Sequence, residues 1–426
     1  MSEKDIKRIG FISTRIQGTD GVSLEISKWE AVLKRLDFEC YFIAGESDRP
    51  GERTFLIDQA RFDHPVVKEI DDEAFGREKR SPNLTAKVID LAQTIRSQLR
   101  KAVKRFSLDM IIVENAFTIP MNIPLGMALL HFFQEKDICC IAHHHDFFWE
   151  RERYLINCVD DYLLAAFPPQ LVQIQHIVIN SQAATEFSRR TGLSCRIIPN
   201  VMDFEAPPKP ADDYAKSFRQ EIGLSDNDLL ILQPTRVVAR KGIEHAIEIV
   251  RRLNNDAKLV ITHTGDYEGT TYATYIRQFA ELMNVELLFV ENRIAYKRDV
   301  TTDGKKIFTI ADAYSQADLV TYPSRYEGFG NAFLEAVYFK LPIVCNRYAI
   351  YRTDIEPYGF KPLLFDGYVT DETMSEIQRV LNEKDYRDEI VERNFAIAKK
   401  YFSYQTVENE LMSIFKSPSF AAHMDC

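Results

Sequence analysis

Residues 319–336 read LVTYPSRYEGFGNAFLEA, and this stretch does most to decide the fold. It opens with an apolar run that is typical of a buried strand and closes on the start of a helical pattern. The loop between them contains glycines, which let a ligand approach the backbone closely. The N–H groups and the dipole at a helix start favour an anion such as a diphosphate. We expect Asn331 to cap this helix.

The same alternation of short apolar runs with helical patterns extends outward over the whole chain. Strands that alternate with helices in this way predict βαβ units and parallel sheets. The alternation stops in the proline-rich stretch 206–225, which suits an exposed linker, and then restarts. We therefore predict an α/β chain of two doubly wound, Rossmann-like domains, 1–205 and 226–395, that face a central cleft. Ligands of such sheets bind beyond the carboxyl ends of the strands.

The amino-acid composition argues against several classes of function. The chain has 426 residues, with 53 Lys and Arg against 63 Asp and Glu, and a formal net charge of −10. This balance argues against a general nucleic-acid-binding surface but leaves room for a local basic site. No apolar run is long enough for a membrane span, the start is charged, and the seven cysteines include no Cys-x-x-Cys. We expect a cytoplasmic protein with reduced thiols and no nucleic-acid partner.

Two carboxylates flank the glycine-rich loop. Glu327 lies within the loop, and Glu335 lies about one turn into the following helix. At the mouth of one strand they are placed to accept hydrogen bonds from sugar hydroxyls at two positions. The alternative is a plain strand–helix turn with a solvated glutamate at each end. The spacing of the two glutamates alone favours neither interpretation over the other.

A second candidate cluster follows the first strand of the second domain, where residues 233–242 read QPTRVVARKG. Arg236 and Lys241, converging at a strand end, would neutralise the charge of a nucleotide diphosphate. We expect Arg240, which lies between them, to be solvated. Basic residues are common in loops, so the pair alone is a weak signal.

Two loops of the first domain also follow strands. Residues 17–23, QGTDGVS, hold a phosphate-cradling position without the Gly-x-Gly-x-x-Gly pattern of a dinucleotide site, and a tight turn is the alternative. The run HHHD ends a strand whose alternation places His143 and His145 on one side and His144 on the other. A His-x-His pair is compatible with a metal site, but no further ligand cluster is visible. Structural histidines are therefore the stronger alternative.

The segment that follows, residues 147–154, reads FFWERERY. Its aromatic faces suit sugar rings, and its arginines suit an anionic group on an acceptor. A surface helix with Glu–Arg pairs explains any one of these residues equally well.

Together these stretches resemble the family-4 glycosyltransferases of the GT-B fold, whose signature is Glu-x7-Glu within Pro-Ser…Glu-Gly-Phe-Gly…Leu-Glu-Ala. Glu327 and Glu335 hold that spacing, and Arg236 with Lys241 match the family's Arg-x4-Lys-Gly pair. The resemblance implies a GT-B fold whose last segment, 396–426, contains a helix that crosses back to the first domain.

The resemblance also implies roles for residues of a donor site. The first glutamate would contact the donor sugar, the second the ribose, and the basic pair the diphosphate. The expected donor-binding residues are Gly21, Arg236, Lys241, Arg293, Ile294, Glu327, Gly328, Phe329, Gly330, Asn331, Leu334 and Glu335. Arg293 and Ile294 are assigned to the nucleobase only from their position after a strand. The expected catalytic residues are His145, Glu327, Arg236 and Lys241.

Acceptor contacts are expected from the first domain. The residues assigned to them are Asp20, Glu114, Asn115, His144, Asp146, Trp149 and Arg153. His145 and Asp146 match the family's His-Asp pair, which implies that His145 lies near the donor sugar. The turn Gly265-Asp266 matches another family turn, whereas Asp20 and Thr235 stand where the family has glycine. Residues 346–351 replace the family's glycine-rich turn.

The resulting hypothesis is a retaining hexosyltransferase that uses a nucleotide-diphosphate sugar. Its hydroxyl acceptor would be a small soluble glycoside, a hydroxy acid or another sugar, because the HHHDFFWER segment looks like that of members that build small soluble glycosides, such as mannosylglucosylglycerate-type solutes. No metal and no obligatory cofactor are expected. The alternatives are a GT-B nucleotide-sugar epimerase and a non-catalytic sugar-nucleotide-binding subunit.

Partners other than the substrates are less defined. The basic helix 93–106 leaves peripheral contact with an anionic membrane open, although a solvated face is its more frequent role. The sequence leaves the oligomeric state, the donor sugar and the donor base open.

Overall fold

The structure is a computed structural model that describes residues 7–18, 20–225, 227–253, 257–263 and 270–417. Contacts within the chain divide it into two units. The first unit contains the residues up to Pro199 together with those from Gln405 onward, and the second is Asn200–Tyr404.

A parallel sheet forms the centre of the first unit. Its strands are β1 (Arg8–Ile16), β2 (Glu39–Ser47), β3 (Thr54–Leu56), β4 (Met110–Glu114), β5 (Cys139–His144), β6 (Ile174–Val178) and β7 (Arg196–Ile197). They lie in the order β3-β2-β1-β4-β5-β6-β7, with Phe11 opposite Phe42 on one side and Ile112 on the other. Its helices are α1 (Gly21–Arg35), α2 (Pro65–Ala74), α3 (Pro82–Phe106), α4 (Ile123–Glu135), α5 (Asp160–Ala166) and α6 (Ser181–Thr191).

The second unit repeats this plan. Its helices are α7 (Asp213–Lys216), α8 (Phe218–Glu221), α9 (Ile243–Leu253), α10 (Thr270–Leu282), α11 (Ile310–Gln316), α12 (Asn331–Tyr338), α13 (Asp371–Asn382) and α14 (Lys384–Tyr401). Its strands are β8 (Leu229–Gln233), β9 (Ala257–Ile261), β10 (Leu287–Phe289), β11 (Asp299–Val300), β12 (Lys306–Ile307), β13 (Leu319–Tyr322), β14 (Ile343–Asn346) and β15 (Leu363–Phe365). The parallel sheet runs β10-β9-β8-β13-β14-β15, and β11 and β12 form a separate antiparallel pair.

Both sheets are covered by helices, as the apolar pattern requires. Every residue of β4 and β5 is buried, because strands of a sheet with helices on its faces are apolar throughout. In the first unit, Leu99 of α3 and Phe132 of α4 join one buried cluster with Ile12 and Ile43 of the sheet. The predicted α/β fold of two doubly wound, Rossmann-like domains is confirmed.

The order of the strands shows where ligand sites belong. In each sheet the strand order reverses beside the first strand of the unit, between β1 and β4 and between β8 and β13. The space beyond the carboxyl ends of strands at such a reversal is where doubly wound sheets bind ligands.

Residues 206–225, expected to form an exposed linker, contain two short helices that pack onto the second unit. The Phe218 ring is buried, with its centroid 5.0 Å from that of Phe308. The Arg219 guanidinium donates to the Asp318 carboxylate at 2.5 Å and to the Gln316 carbonyl oxygen at 2.9 Å. An aromatic ring and an arginine therefore hold the end of this stretch in place.

The chain returns to the first unit through α15 (Tyr404–Phe415). The Phe415 ring packs edge-on against Phe38 with centroids 5.3 Å apart, and Ser413 accepts from Arg196 at 2.9 Å. Within the last expected segment, 396–426, α14 ends at Tyr401 and α15 begins at Tyr404. Among the described residues, no helix has both the length and the apolar character needed to cross a membrane.

Candidate active site

The glycine-rich loop of the second unit has a shape that requires glycine at one position. Gly330 has a φ of +132°, and a Cβ atom there would clash with the Tyr348 hydroxyl. That hydroxyl donates to the carbonyl oxygen of Phe329 at 2.7 Å. Tyr348 therefore fixes the loop where α12 begins. It belongs to the stretch that stands in place of the glycine-rich turn of the family that the sequence resembles.

The expectation that Asn331 caps α12 is wrong. Gly330 occupies the cap position, and Asn331 is already the first helical residue, because the backbone turns into the helix only after Gly330. The Asn331 side-chain oxygen accepts from Nδ2 of Asn200 at 2.8 Å instead. Since the cap residue adds no side-chain oxygen, the start of α12 suits an anionic ligand.

Glu327 lies in the loop before α12 and is paired with two cations from the turn before α9. Its Oε2 accepts from Arg240 at 2.9 Å, and its Oε1 forms an ion pair with Lys241. The side chains of Glu327 and Lys241 are each only 9% exposed. The expectation that Arg240 is solvated is wrong, because Glu327 and the ring of Tyr326 hold its guanidinium.

Burial and the charge of the partner shift the pKa values of Glu327 and Lys241 in opposite directions. Burial alone would raise the pKa of Glu327, but Lys241 and Arg240 outweigh it and hold that pKa below its ordinary value. Burial lowers the pKa of Lys241, Arg240 and Arg236 lower it further, and Glu327 opposes them. The result is a nearly buried carboxylate–ammonium pair, for which an incoming anion would compete.

Close backbone contacts bring the turn before α9 and the loop before α12 together. Gly242 has a φ of +59°, and a Cβ atom there would lie 2.6 Å from the carbonyl oxygen of Pro323. The N–H of Arg325 donates to the carbonyl oxygen of Arg240 at 2.8 Å. The turn before α9 and the loop before α12 thus form one surface at the carboxyl ends of β8 and β13.

Thr235, which stands where the resembling family has glycine, is used inside the sheet. Its hydroxyl accepts from Nε2 of Gln233 at 2.7 Å, and Oε1 of Gln233 accepts from the Thr321 hydroxyl at 2.7 Å. All three side chains are buried. This small network ties the ends of β8 and β13 together beneath the basic residues.

Arg236 is exposed, and its positive charge contributes to lowering the pKa of Lys241 and of His263. The register that pairs Gln233 with Ile261 brings His263, just after β9, level with Thr235. Sequence reasoning passed over His263, because a lone histidine after a strand belongs to no motif.

The second glutamate of the signature is also oriented by the fold. Oε2 of Glu335 accepts from the Tyr314 hydroxyl at 2.7 Å, and Tyr314 is buried against Phe339. Gly328 is exposed, whereas Phe329 and Leu334 are buried. A ligand would therefore meet the backbone rather than the side chains of Phe329 and Leu334.

Arg293 is used within the second unit. Its guanidinium donates to the Glu221 carboxylate at 2.8 Å, to the Glu221 carbonyl oxygen at 3.0 Å and to the Lys306 carbonyl oxygen at 2.7 Å. Ile294 is half-buried and forms a bridge with Phe308. These bonds argue against a nucleobase contact by the Arg293 guanidinium.

In the first unit, β4 and β5 bring a carboxylate between two imidazoles. Oε2 of Glu114 lies 3.0 Å from Nδ1 of His143 and 3.2 Å from Nε2 of His145. The predicted placement of His143 and His145 on one side of the strand is confirmed. Burial alone would raise the pKa of Glu114, but the two imidazoles outweigh it and lower this pKa to about 2.

This arrangement decides how His145 is presented. An ionised carboxylate only accepts, so the ring nitrogens that face Glu114 carry protons. His145 then presents Nδ1 on its other side, and its backbone N–H donates to the side-chain oxygen of Asn115 at 3.1 Å. The Trp29 ring stacks on His143 with centroids 4.3 Å apart. Trp29 and Glu114 therefore hold the histidines from two directions.

The same three residues could hold a metal ion. One ligand atom each from Glu114, His143 and His145 lie within 4.8 Å of one another. The sequence shows no third ligand beside the His-x-His pair, because Glu114 comes from a neighbouring strand rather than from the same stretch. Two histidines and a carboxylate suit a divalent transition metal.

His144 lies on the opposite side of the strand. Its Nε2 is 2.9 Å from Nδ1 of His176, both buried rings contact Phe187, and His144 also lies beside Phe147. Burial lowers the pKa of both histidines, that of His176 to about 4. The expected acceptor contact of His144 is therefore not supported, because its ring lies in the core.

The segment after His145 forms two single helical turns rather than a surface helix. Asp146 accepts from Nδ2 of Asn115 at 3.0 Å and from Nε of Arg151 at 2.9 Å. The Trp149 ring stacks on Phe147 with centroids 4.4 Å apart. Arg153 points away from this group, since it pairs with Asp71 at 2.6 Å.

The loop before α1 is shaped by its aspartate. The Asp20 carboxylate caps α1, accepting from the N–H groups of Val22 and Ser23 at 3.1 Å. Gly21, the first residue of the helix, is exposed. Thr19 and the turn Gly265-Asp266 lie outside the described residues.

Comparison with known proteins identifies relatives of the whole chain. The family described as Glycosyl transferases group 1 matches residues 215–396. A mannosylglucosylglycerate synthase of Petrotoga mobilis is 33% identical over 386 residues, which cover 83% of this chain and 85% of the relative. A protein of the same name from Thermotoga maritima is 28% identical, covering 95% of this chain and 98% of the relative.

Solved structures share the fold at low identity. The crystal structure of Anabaena Alr3699/HepE in complex with UDP and glucose has a TM-score of 0.62 and 15% identity, covering 97% of this chain and 100% of that one. WaaG, a glycosyltransferase involved in lipopolysaccharide biosynthesis, has a TM-score of 0.60 and 13% identity, covering 96% of this chain and 100% of that one. The two sheets and these relatives show that the chain has the GT-B fold and belongs to the group 1 glycosyltransferases, enzymes that transfer a sugar to an acceptor.

Proposed function

We propose that the protein is a retaining glycosyltransferase that moves a hexose from a nucleotide-diphosphate sugar to a hydroxyl group of a small soluble glycoside or hydroxy acid. The names of the two curated relatives support this class of acceptor. The observation that carries the proposal is the group formed by Arg236, Lys241 and Glu327 beside the start of α12.

The basic residues of this group would bind the diphosphate. As the bond to the sugar breaks, negative charge grows on the departing diphosphate, and fixed cations and helix-start N–H groups stabilise that charge. Arg236 presents an exposed guanidinium, and Lys241 a nearly buried ammonium. Such preorganised groups need no rearrangement of solvent at the moment of reaction.

The carboxylates would bind the sugars. In the free protein Lys241 neutralises Glu327, so an anionic donor competes for Lys241 and leaves Glu327 able to accept from hydroxyls of the donor sugar. Glu335, which Tyr314 orients, would accept from the ribose. Gly328, Phe329, Gly330 and Asn331 would offer their backbone to sugar and phosphate.

We assign the acceptor to the first unit. His145, held by Glu114 and Asn115, is the candidate catalytic residue there. Asp20, and Asp146 with Trp149, are the remaining candidates for the acceptor, whereas Gly21 stays a candidate for the donor. His144 is left out because it is buried, and Arg153 because Asp71 holds it.

We assign no catalytic role to a metal. The basic group of the second unit would supply the charge that a metal supplies elsewhere. Dialysis against EDTA should leave the transfer rate unchanged, and a rate that falls and returns with one divalent cation would instead place a metal in the mechanism.

The direct test is a screen of donors and acceptors. Purified protein is incubated with UDP-glucose, GDP-mannose or ADP-glucose and with glycerate or glucosylglycerate, and the products are analysed by mass spectrometry. We expect one donor to give a hexosylated acceptor and free nucleotide diphosphate. Isomerised donor without transfer would favour an epimerase, and binding without turnover a non-catalytic subunit.

A further inference from the structure

His263 lies at the carboxyl end of β9 and has no role in the function proposed above. Its Nδ1 is 2.8 Å from the hydroxyl oxygen of Thr262. Within the part of the chain that the structure describes, its Nε2 makes no hydrogen bond. The ring is half-buried, and the contact with Thr262 holds its Nδ1 edge.

The position of His263 places it with the basic residues. β8 and β9 are parallel neighbours in register, so the residues after them lie side by side at the same edge of the sheet. Arg236 follows β8, and Lys241 ends the turn before α9. Both cations are close enough to act on the His263 ring.

We propose that His263 is a third phosphate-binding residue of this site, donating a hydrogen bond from Nε2 to the diphosphate of a nucleotide ligand. The inference rests on the proposed function, because that function supplies the diphosphate between Arg236 and Lys241. When the Thr262 hydroxyl donates to Nδ1, the neutral ring carries its proton on Nε2, which is the atom that would face the ligand.

Binding should also be coupled to a proton. Burial lowers the pKa of His263, and Arg236 and Lys241 lower it further, so the free protein holds a neutral ring at neutral pH. Arg236 comes from the loop after β8, Lys241 from the turn before α9, and Lys241 is paired with Glu327 from the loop after β13. A diphosphate would bring the opposite charge and raise this pKa. The site would then take up a proton on binding, and affinity would rise as the pH falls.

The test is calorimetric titration of the full chain with UDP, GDP and ADP, followed by work with the tightest of the three. For the wild type we expect affinity to rise between about pH 7.5 and 5.5, with proton uptake measured in two buffers of different ionisation enthalpy. His263→Asn keeps a group near Thr262 but removes Nε2. It should weaken binding by about 10-fold or more and leave only the pH dependence of the ligand's terminal phosphate, which itself titrates near about pH 6.

Two further variants sharpen the result. His263→Gln places an amide donor near the position of Nε2, so it should recover part of the affinity without the part of the pH dependence that His263 contributes. His131→Asn, a histidine of α4 in the first unit, should bind as the wild type does. Far-ultraviolet circular dichroism and thermal melting check that each variant is folded.

The possible outcomes distinguish a failure of this inference from a failure of the proposed function. If the diphosphate binds, Arg236→Ala weakens it, and His263→Asn behaves as the wild type at every pH, the role of His263 is overturned and the proposed function stands. If the wild type binds none of the three diphosphates, the proposed function is overturned, and the inference with it.

Discussion

Lys241 and Glu327 illustrate how single residues set the state of the donor site. Each is nearly buried, and each compensates the charge of the other. Removing one partner of a buried pair leaves the other as an unpaired charge, which is costly. Both residues therefore matter to the stability of the site as well as to the proposed complex.

We predict that Lys241→Ala lowers kcat/KM for sugar transfer by about 100- to 1,000-fold, because one preorganised cation on a departing anion contributes that much. Steady-state release of nucleotide diphosphate measures the effect. Lys340→Ala is the matched control, since Lys340 pairs with Glu392 elsewhere in the same unit. Equal activity of the two variants would contradict the assigned role of Lys241.

Glu114 acts on the first unit through His145. We predict that Glu114→Gln lowers kcat by about 10- to 100-fold with a smaller change in KM for the donor, because a neutral amide is a weaker acceptor than the carboxylate for the N–H groups of the two imidazoles. Glu135→Gln, which alters a surface pair with Arg96, is the control. Loss of binding with unchanged kcat would show that Glu114 is not a positioning residue.

At the scale of elements, the loop before α12 depends on two separate constraints at Gly330. Its φ of +132° disfavours any side chain, and the Tyr348 hydroxyl occupies the space of a Cβ atom. Gly367 has a φ of +79° but nothing within 4 Å of a Cβ, so it shares only the first constraint.

We therefore predict that Gly330→Ala lowers the free energy of unfolding by more than Gly367→Ala, which should cost about 1 kcal/mol. Urea denaturation of the two variants measures the difference. Donor affinity should fall in Gly330→Ala alone, because only that loop meets the donor. Equal destabilisation by both substitutions would mean that Tyr348 moves aside without cost.

The His144–His176 pair makes the first unit sensitive to acid. Both pKa values are lowered in the folded state, that of His176 to about 4, while an unfolded histidine titrates near 6.5. As the pH falls from about 6.5 towards 4, the unfolded chain binds protons that the folded chain does not, so stability is lost on acidification.

His176→Asn keeps a polar group facing His144 and removes one titrating ring. We predict that it loses less stability than the wild type between pH 6.5 and 4, by up to about 3 kcal/mol. Denaturant midpoints across that pH range test this, with His131→Asn as the control. Parallel pH profiles of the wild type and His176→Asn would refute the assignment.

The elements that sequence predicts best are those whose pattern is local. The strand–loop–helix around Glu327 and the strand ends at His143 and Arg236 follow from apolar runs and glycines. The partners of these residues come from distant stretches, so pattern alone could not find them: Glu114 beside His145, Tyr348 beneath Gly330, and His263 beside Arg236. The expectations that Asn331 caps α12 and that Arg240 is solvated were wrong, because helix caps and ion pairs depend on the path of the backbone in three dimensions.

At the scale of the whole molecule, net charge and local charge differ. The chain carries a formal charge of −10, yet its proposed ligand is a polyanion. Arg236, Arg240, Lys241 and the start of α12 make one region of the second unit locally positive. The fold is shared with the group 1 glycosyltransferases, so the specific question is whether this region serves sugar transfer with retention.

The most direct test is a proton NMR time course of the reaction of the full chain with the active donor and acceptor. The account predicts that the anomeric signal of the donor is replaced by that of a new glycoside with the same anomeric configuration, together with free nucleotide diphosphate. A product of inverted configuration, or release of free sugar without any glycoside, would contradict it.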